Sequence, residues 1–132
     1  MITPIVKVAA IIIKNKKILM VTANRDFYWT PGGKVEAEEK IEQALVRELK
    51  EELNIEVTSF KPYVKYLSET EEDDSIREVN NYFIEYKGNL ELSGELTDMV
   101  WFGREDFVHG KIKIQNGVRD KLIPALIKDN LI

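Results

Sequence analysis

The sequence predicts an α/β (α+β) layered fold, and three observations carry that prediction. Two β-branched apolar runs open the chain, a strongly amphipathic helical stretch follows, and further strand-like segments lead to a second helical stretch near the end. Strands placed before, between and after two helices bury their apolar faces by stacking in layers. A chain of 132 residues is long enough to bury a real core, and it reads as a single domain over residues 1–132 because no linker, repeat or low-complexity tract divides it.

Ile5 to Ile13 is an almost unbroken apolar run, bounded by Pro4 and by Lys14-Asn15-Lys16-Lys17. Its continuity predicts cover on both faces. Lys17 to Thr22 resumes as KILMVT, so the two runs and the polar turn between them predict a hairpin. Ala23 to Tyr28 is a loop containing Arg25, Trp29 is a hydrophobic anchor, and Pro31-Gly32-Gly33 is a turn by composition. From Glu39 to Leu53, Ile41, Ala44, Leu45, Leu49 and Leu53 recur at helical spacing and form one broad stripe. Ile55 to Tyr66 predicts one or two short strands interrupted near Pro62. The acidic run Ser68 to Asp74 reads as a solvated hairpin tip before a second metal site.

Ile76 to Tyr86 alternates in part and predicts a strand, with Val79, Tyr82 and Ile84 facing a core or pocket. Asn81 and Tyr82 are read as packing residues before base contacts. Gly94 to Phe102 is a loop running into a strand, and Arg104 to Phe107 starts a short turn or helix. His109, the single histidine, sits in a Gly-flanked loop and reads as a surface residue. Asn116 to Leu131 predicts a helix burying Val118, Leu122, Ile123, Leu126 and Ile127, with Pro124 kinking or restarting it.

The chemistry concentrates on the first helix. Lys40, Gln43, Arg47 and Lys50 project opposite the stripe and read as solvated, whereas Glu48 and Glu52 project within it and Glu51 lies at its margin. Carboxylates turned toward a core lose hydration, at several kcal/mol per ion unless something compensates. Glu48 and Glu52, four apart, also repel each other, and Glu51 and Glu52 oppose the dipole of the last turn. Mutual repulsion, burial and an unfavourable dipole are all relieved by a hard divalent cation, for which carboxylate oxygens are suited: Mg2+ or Mn2+.

The stretch around this helix resembles the signature of the Nudix hydrolase family, G-x5-E-x7-R-E-U-x-E-E-x-G-U with U a bulky aliphatic. Gly33, Glu39, Arg47, Glu48, Leu49, Glu51, Glu52 and Ile55 match at the required spacing, with Asn54 where the family has Gly and Glu38 replacing a Gly of the preceding loop. Asn tolerates the left-handed conformation that ends a helix. The resemblance implies an α/β/α sandwich around a central mixed β-sheet. It implies metal binding by Gly33, Glu48, Glu51 and Glu52, and catalytic roles for Glu48, Glu51 and Arg47. Glu51 is either a further ligand or a proton acceptor. Arg47 orients a signature carboxylate through a salt bridge, with Glu39 either its partner or a further group near the metals. Arg25 is either a loop cation or a residue facing substrate phosphate. Glu95, with Asp98 nearby, is a candidate further carboxylate for substrate or metal. The implied reaction is cleavage of a phosphoanhydride bond in a nucleoside diphosphate-linked substrate. A catalytically silent nucleotide-sensing or protein-binding module is the alternative.

Composition narrows the partners. A net charge of −4 argues against a general nucleic-acid coat, which needs a basic surface, but not against a small phosphorylated substrate. The absence of cysteine removes disulfides and thiol chemistry. No apolar run approaches a membrane span and no basic-then-apolar signal pattern opens the chain, so a cytoplasmic protein is expected, with a homodimer as one possible assembly.

Overall fold

The computed structural model describes residues 3–23, 26–69 and 75–132. Its main sheet has four strands: β1, Ile5–Ile11; β4, Gly32–Lys34; β5, Glu56–Glu69; and β6, Ile76–Lys87. Their order is β4-β1-β6-β5, with β1 and β6 parallel and the outer pairs antiparallel, so the sheet is mixed. A smaller antiparallel sheet joins β2, Ile13–Lys14, β3, Lys17–Thr22, and β7, Asp98–Gly103, in the order β2-β3-β7.

The alternation of side chains across a strand explains why helices cover both sides. Val8, Ala10 and Ile12, with Leu19 and Val21, pack against Ala44, Leu45, Leu49 and Leu53 of α1, Ile41–Leu53. Ala9 and Ile11, with Ile18, Met20 and Phe102, pack against Val118, Leu122, Ile123 and Leu126 of the C-terminal segment. Every residue in these two sets is buried. The unbroken apolar run that opens the chain is thus a strand shared by two cores, and the layers form the expected α/β/α sandwich.

Four elements differ from the sequence expectation. The hairpin is short: Asn15 and Lys16 turn with positive φ of 53° and 64°, but β2 and β3 pair only at Ile13↔Ile18 and Lys14↔Lys17. Most of β3 pairs instead with β7, and β1 pairs along its whole length with β6. β5 runs unbroken through Pro62, which is tolerated because the strand lies at the sheet edge and its register shifts between Pro62 and Lys65. The C-terminal helix is a π-helical turn, Val118–Leu122, followed by α3, Ile123–Lys128, with Pro124 in the first turn of α3 where a missing N–H is tolerated. The segment Pro31-Gly32-Gly33, read as a turn, instead contributes Gly32 and Gly33 to strand β4, where they pair with β1. As expected, Arg104–His109 forms a short helix, α2, and His109 is exposed. No helix among the described residues is long and apolar enough to cross a membrane.

Candidate active site

Two glycines of β4 make room for the α1 carboxylates. Gly32 has φ 152°, and a Cβ there would sit 2.0 Å from the Val8 carbonyl oxygen, so only glycine fits. Its N–H donates to Glu52 Oε1 at 2.8 Å. At Gly33, paired with Val8, a Cβ would meet the Glu48 carboxylate at 2.4 Å. The volume left by the absent side chain is taken by that carboxylate.

Arg47 does not project into solvent as its wheel position suggested. Its side chain is only 26% exposed, folded back over the first turn of the site. Nε and Nη2 donate to the two oxygens of Glu39 at 2.8 and 2.9 Å, a bidentate pair. Nη1 donates to Glu48 Oε1 at 2.9 Å and Glu51 Oε2 at 3.4 Å, and Nη2 also reaches the Lys34 carbonyl at 3.1 Å. A flexible guanidinium escapes its nominal helix face when several carboxylates attract it from the same side. Glu39 in turn accepts from the Glu36 N–H at 3.1 Å.

These contacts set the charge states. The Arg47 guanidinium, with help from the Glu36 N–H, holds the Glu39 carboxyl down at about 2. Glu52 moves the other way: burial pushes it up to about 7, and the charges of Glu48 and Glu51 add to the rise. Burial also raises Glu48, against the pull of Arg47. On β1, burial lowers Lys7, and the nearby Arg77 lowers it further, while Glu48 and Glu52 act in the opposite sense. Lys7 therefore lies within electrostatic reach of the site. It was missed by the sequence reading, although a lone cation inside an apolar strand run was the available signal.

The structure thus gathers Gly33, Glu39, Arg47, Glu48, Glu51 and Glu52 in one place. Glu95 is exposed on the loop before β7, and no hydrogen bond or ion pair joins it to these groups among the described residues. Asp98 accepts instead from the Tyr28 hydroxyl at 2.5 Å. Arg25 lies outside the described residues. The loop preceding Glu95 nonetheless closes on the end of α1, where Ser93 N–H donates to the Glu52 carbonyl at 2.9 Å.

The chemistry of the donor set fits a hard divalent ion. Glu48, Glu51 and Glu52 each have one oxygen engaged, by Arg47, Arg47 and the Gly32 N–H. The second oxygen of each has no hydrogen-bond partner among the described residues. No cluster of three acidic, His or Cys ligands is preformed among the described residues. A cation there would offset the repulsion and desolvation that raise Glu52.

Residues 3–126 match the model of the NUDIX domain. The chain belongs to the Nudix family. Among solved structures, the Escherichia coli ORF135 protein is 30% identical, with a TM-score of 0.78, covering 97% of this chain and 94% of that one. A MutT protein from Methanosarcina mazei Go1 is 22% identical, TM-score 0.74, with 98% and 96% of the two chains covered. A Nudix-family hydrolase from Clostridium perfringens is 18% identical, TM-score 0.72, covering 96% and 99%. No protein of curated function matches the chain.

Proposed function

We propose that this chain is a Mg2+- or Mn2+-dependent pyrophosphohydrolase. It cleaves a phosphoanhydride bond in a nucleoside diphosphate-linked substrate, such as a nucleoside triphosphate, and releases a nucleotide with phosphate or pyrophosphate. The observation that carries this reading is the α1 carboxylate group: Glu48 and Glu52 lie against the glycines of β4, Arg47 joins Glu51 to Glu48, each carboxylate has an oxygen to spare, and burial holds Glu52 at about 7. Family membership supports the reaction class.

When bound, a divalent ion neutralises phosphate oxygens and lowers the pKa of coordinated water. Glu48 and Glu52 would be its principal protein ligands, with Glu51 and the Gly33 carbonyl as further candidates. Arg47 is a positioning residue: through Glu39 on one side and Glu48 and Glu51 on the other, it fixes the carboxylates without reaching substrate. Glu51, more exposed than Glu48, retains an oxygen able to accept a proton from an attacking water. Lys7 lies within electrostatic reach of Glu48 and Glu52.

The test is turnover of a panel of nucleoside triphosphates, sugar nucleotides and dinucleoside polyphosphates with Mg2+. Glu52→Gln should lower turnover by orders of magnitude with the fold intact. Failure to hydrolyse any member of the panel would leave a silent nucleotide-binding module as the better description.

A further inference from the structure

A lone exposed apolar side chain needs no explanation, whereas a pair lining one groove points to a contact surface. Val46 of α1 and Phe60 of β5, 40% and 46% exposed, are two of the four large apolar residues left most open among the described residues. Both line one shallow groove of about 410 Å³ between helix and strand, together with Glu42, Gln43 and Arg47. The Phe60 ring is braced there, meeting the Tyr82 ring edge-on at a centroid distance of 5.9 Å. A braced ring loses little freedom when a partner covers it.

The charges around Val46 say what fits the groove. Glu42 precedes it by four residues and Lys50 follows it by four, so the three share one face of α1. Glu42 and Lys50 then lie about 6 Å along the axis to either side of Val46. A second α1 laid antiparallel across the first, with the two-fold axis at Val46, brings Glu42 of each copy to the partner's Lys50. Parallel helices would instead set like charges against each other. The row is complementary to itself, which is what a two-fold interface requires.

The neighbouring strand edge offers no competing mode. β5 lies at the rim of the main sheet and pairs on its outer side with no strand among the described residues. Pro62 lacks an N–H, Lys61 and Lys65 lie close to it, and the ladder shifts register between Val57 and Ser59 and between Pro62 and Lys65. Each of these features protects an edge from pairing with another strand. The helix face beside it has no such protection.

We propose that two copies of this chain associate through a two-fold interface in which the α1 helices cross antiparallel. Val46 and Phe60 form its apolar centre, and Glu42 of each copy pairs with the partner's Lys50. Arg47 lines the same groove, so the docked copy also covers the guanidinium that holds Glu39, Glu48 and Glu51. The patch is small, which suits a dimer that forms and separates with protein concentration.

Sedimentation equilibrium of the whole protein, without metal or nucleotide, reads this association whether or not the chain is a hydrolase. Wild type should convert from monomer to dimer between about 1 μM and 1 mM. Val46→Gln, at an exposed helix position, should weaken the dimer about tenfold or more and leave the melting temperature of the monomer nearly unchanged. Glu42→Lys and Lys50→Glu should each weaken it about tenfold or more, because like charges then face each other twice across the axis. The double variant restores opposite charges in both pairs and should dimerise within about threefold of wild type. Its melting temperature should nonetheless fall, since both charges then oppose the helix dipole. A chain that stays monomeric to about 1 mM overturns the proposal and leaves the groove to a partner of another kind. Dimerisation insensitive to Val46→Gln or to the single charge reversals overturns it too, as does a double variant no better than the singles.

Discussion

Glu52 links the stability of the protein to its proposed chemistry. Its folded pKa is raised from the ordinary 4.5 to about 7, so ionising it opposes folding. The favourable contribution of the protonated group is complete below 4.5 and is lost as pH rises through about 7. The loss is roughly 3 kcal/mol by pH 8 in the absence of divalent ions. Glu52→Gln should therefore raise the metal-free melting temperature at pH 8 and leave it nearly unchanged at pH 4, as calorimetry in EDTA would show. Mg2+ should raise the melting temperature of wild type at pH 8 and act far less on the variant. Arg47 makes the complementary case. Arg47→Lys keeps a charge but loses the bidentate grip on Glu39, and it should lower the midpoint of urea unfolding. Turnover should fall more than substrate affinity, because the carboxylates are displaced and no substrate contact is removed.

The elements show two departures from the family signature whose consequences are opposite. Asn54 closes α1 with φ 54° and ψ 37°, and its N–H returns to the Lys50 carbonyl at 3.1 Å. Asparagine serves here because it visits the left-handed region with little penalty. Asn54→Ala should destabilise by about 1 kcal/mol. Glu38 occupies the same region, φ 65°, in the loop before the helix, where a long side chain gains nothing local in return. Glu38→Gly should stabilise the protein by about 0.5–1 kcal/mol in urea unfolding, with turnover preserved. The helix itself, its apolar stripe and the left-handed close at Asn54 were legible from spacing and composition. The true reach of Arg47 was not, because a helical wheel fixes where Cβ points and says nothing of where a long charged side chain settles.

Across the whole molecule, β1 and β3 each serve two cores, one under α1 and the other under the C-terminal segment. Leu45 and Leu126 are both fully buried, on opposite sides of the sheets. Leu45→Ala and Leu126→Ala should each cost about 2–5 kcal/mol. Their effects should add in the double variant, because the two sites share no partner. Unfolding should nevertheless remain a single transition in calorimetry, since neither core survives without the shared strands. Two separate transitions would show that the layers fold independently.

The sequence by itself determined the layered α/β class, the amphipathic helix, the burial of the first strand on both faces and the family signature. Each follows from periodicity or fixed spacing, which a linear chain displays directly. Only the tertiary structure decided that β3 pairs mainly with β7, that β5 passes unbroken through Pro62, and that Arg47 folds back onto Glu39, Glu48 and Glu51. It also decided that Lys7, Tyr66 and Arg77 share one face around Val79. Those outcomes depend on register between segments far apart in the chain. A one-residue slip would turn every one of those side chains to the other side of the sheet.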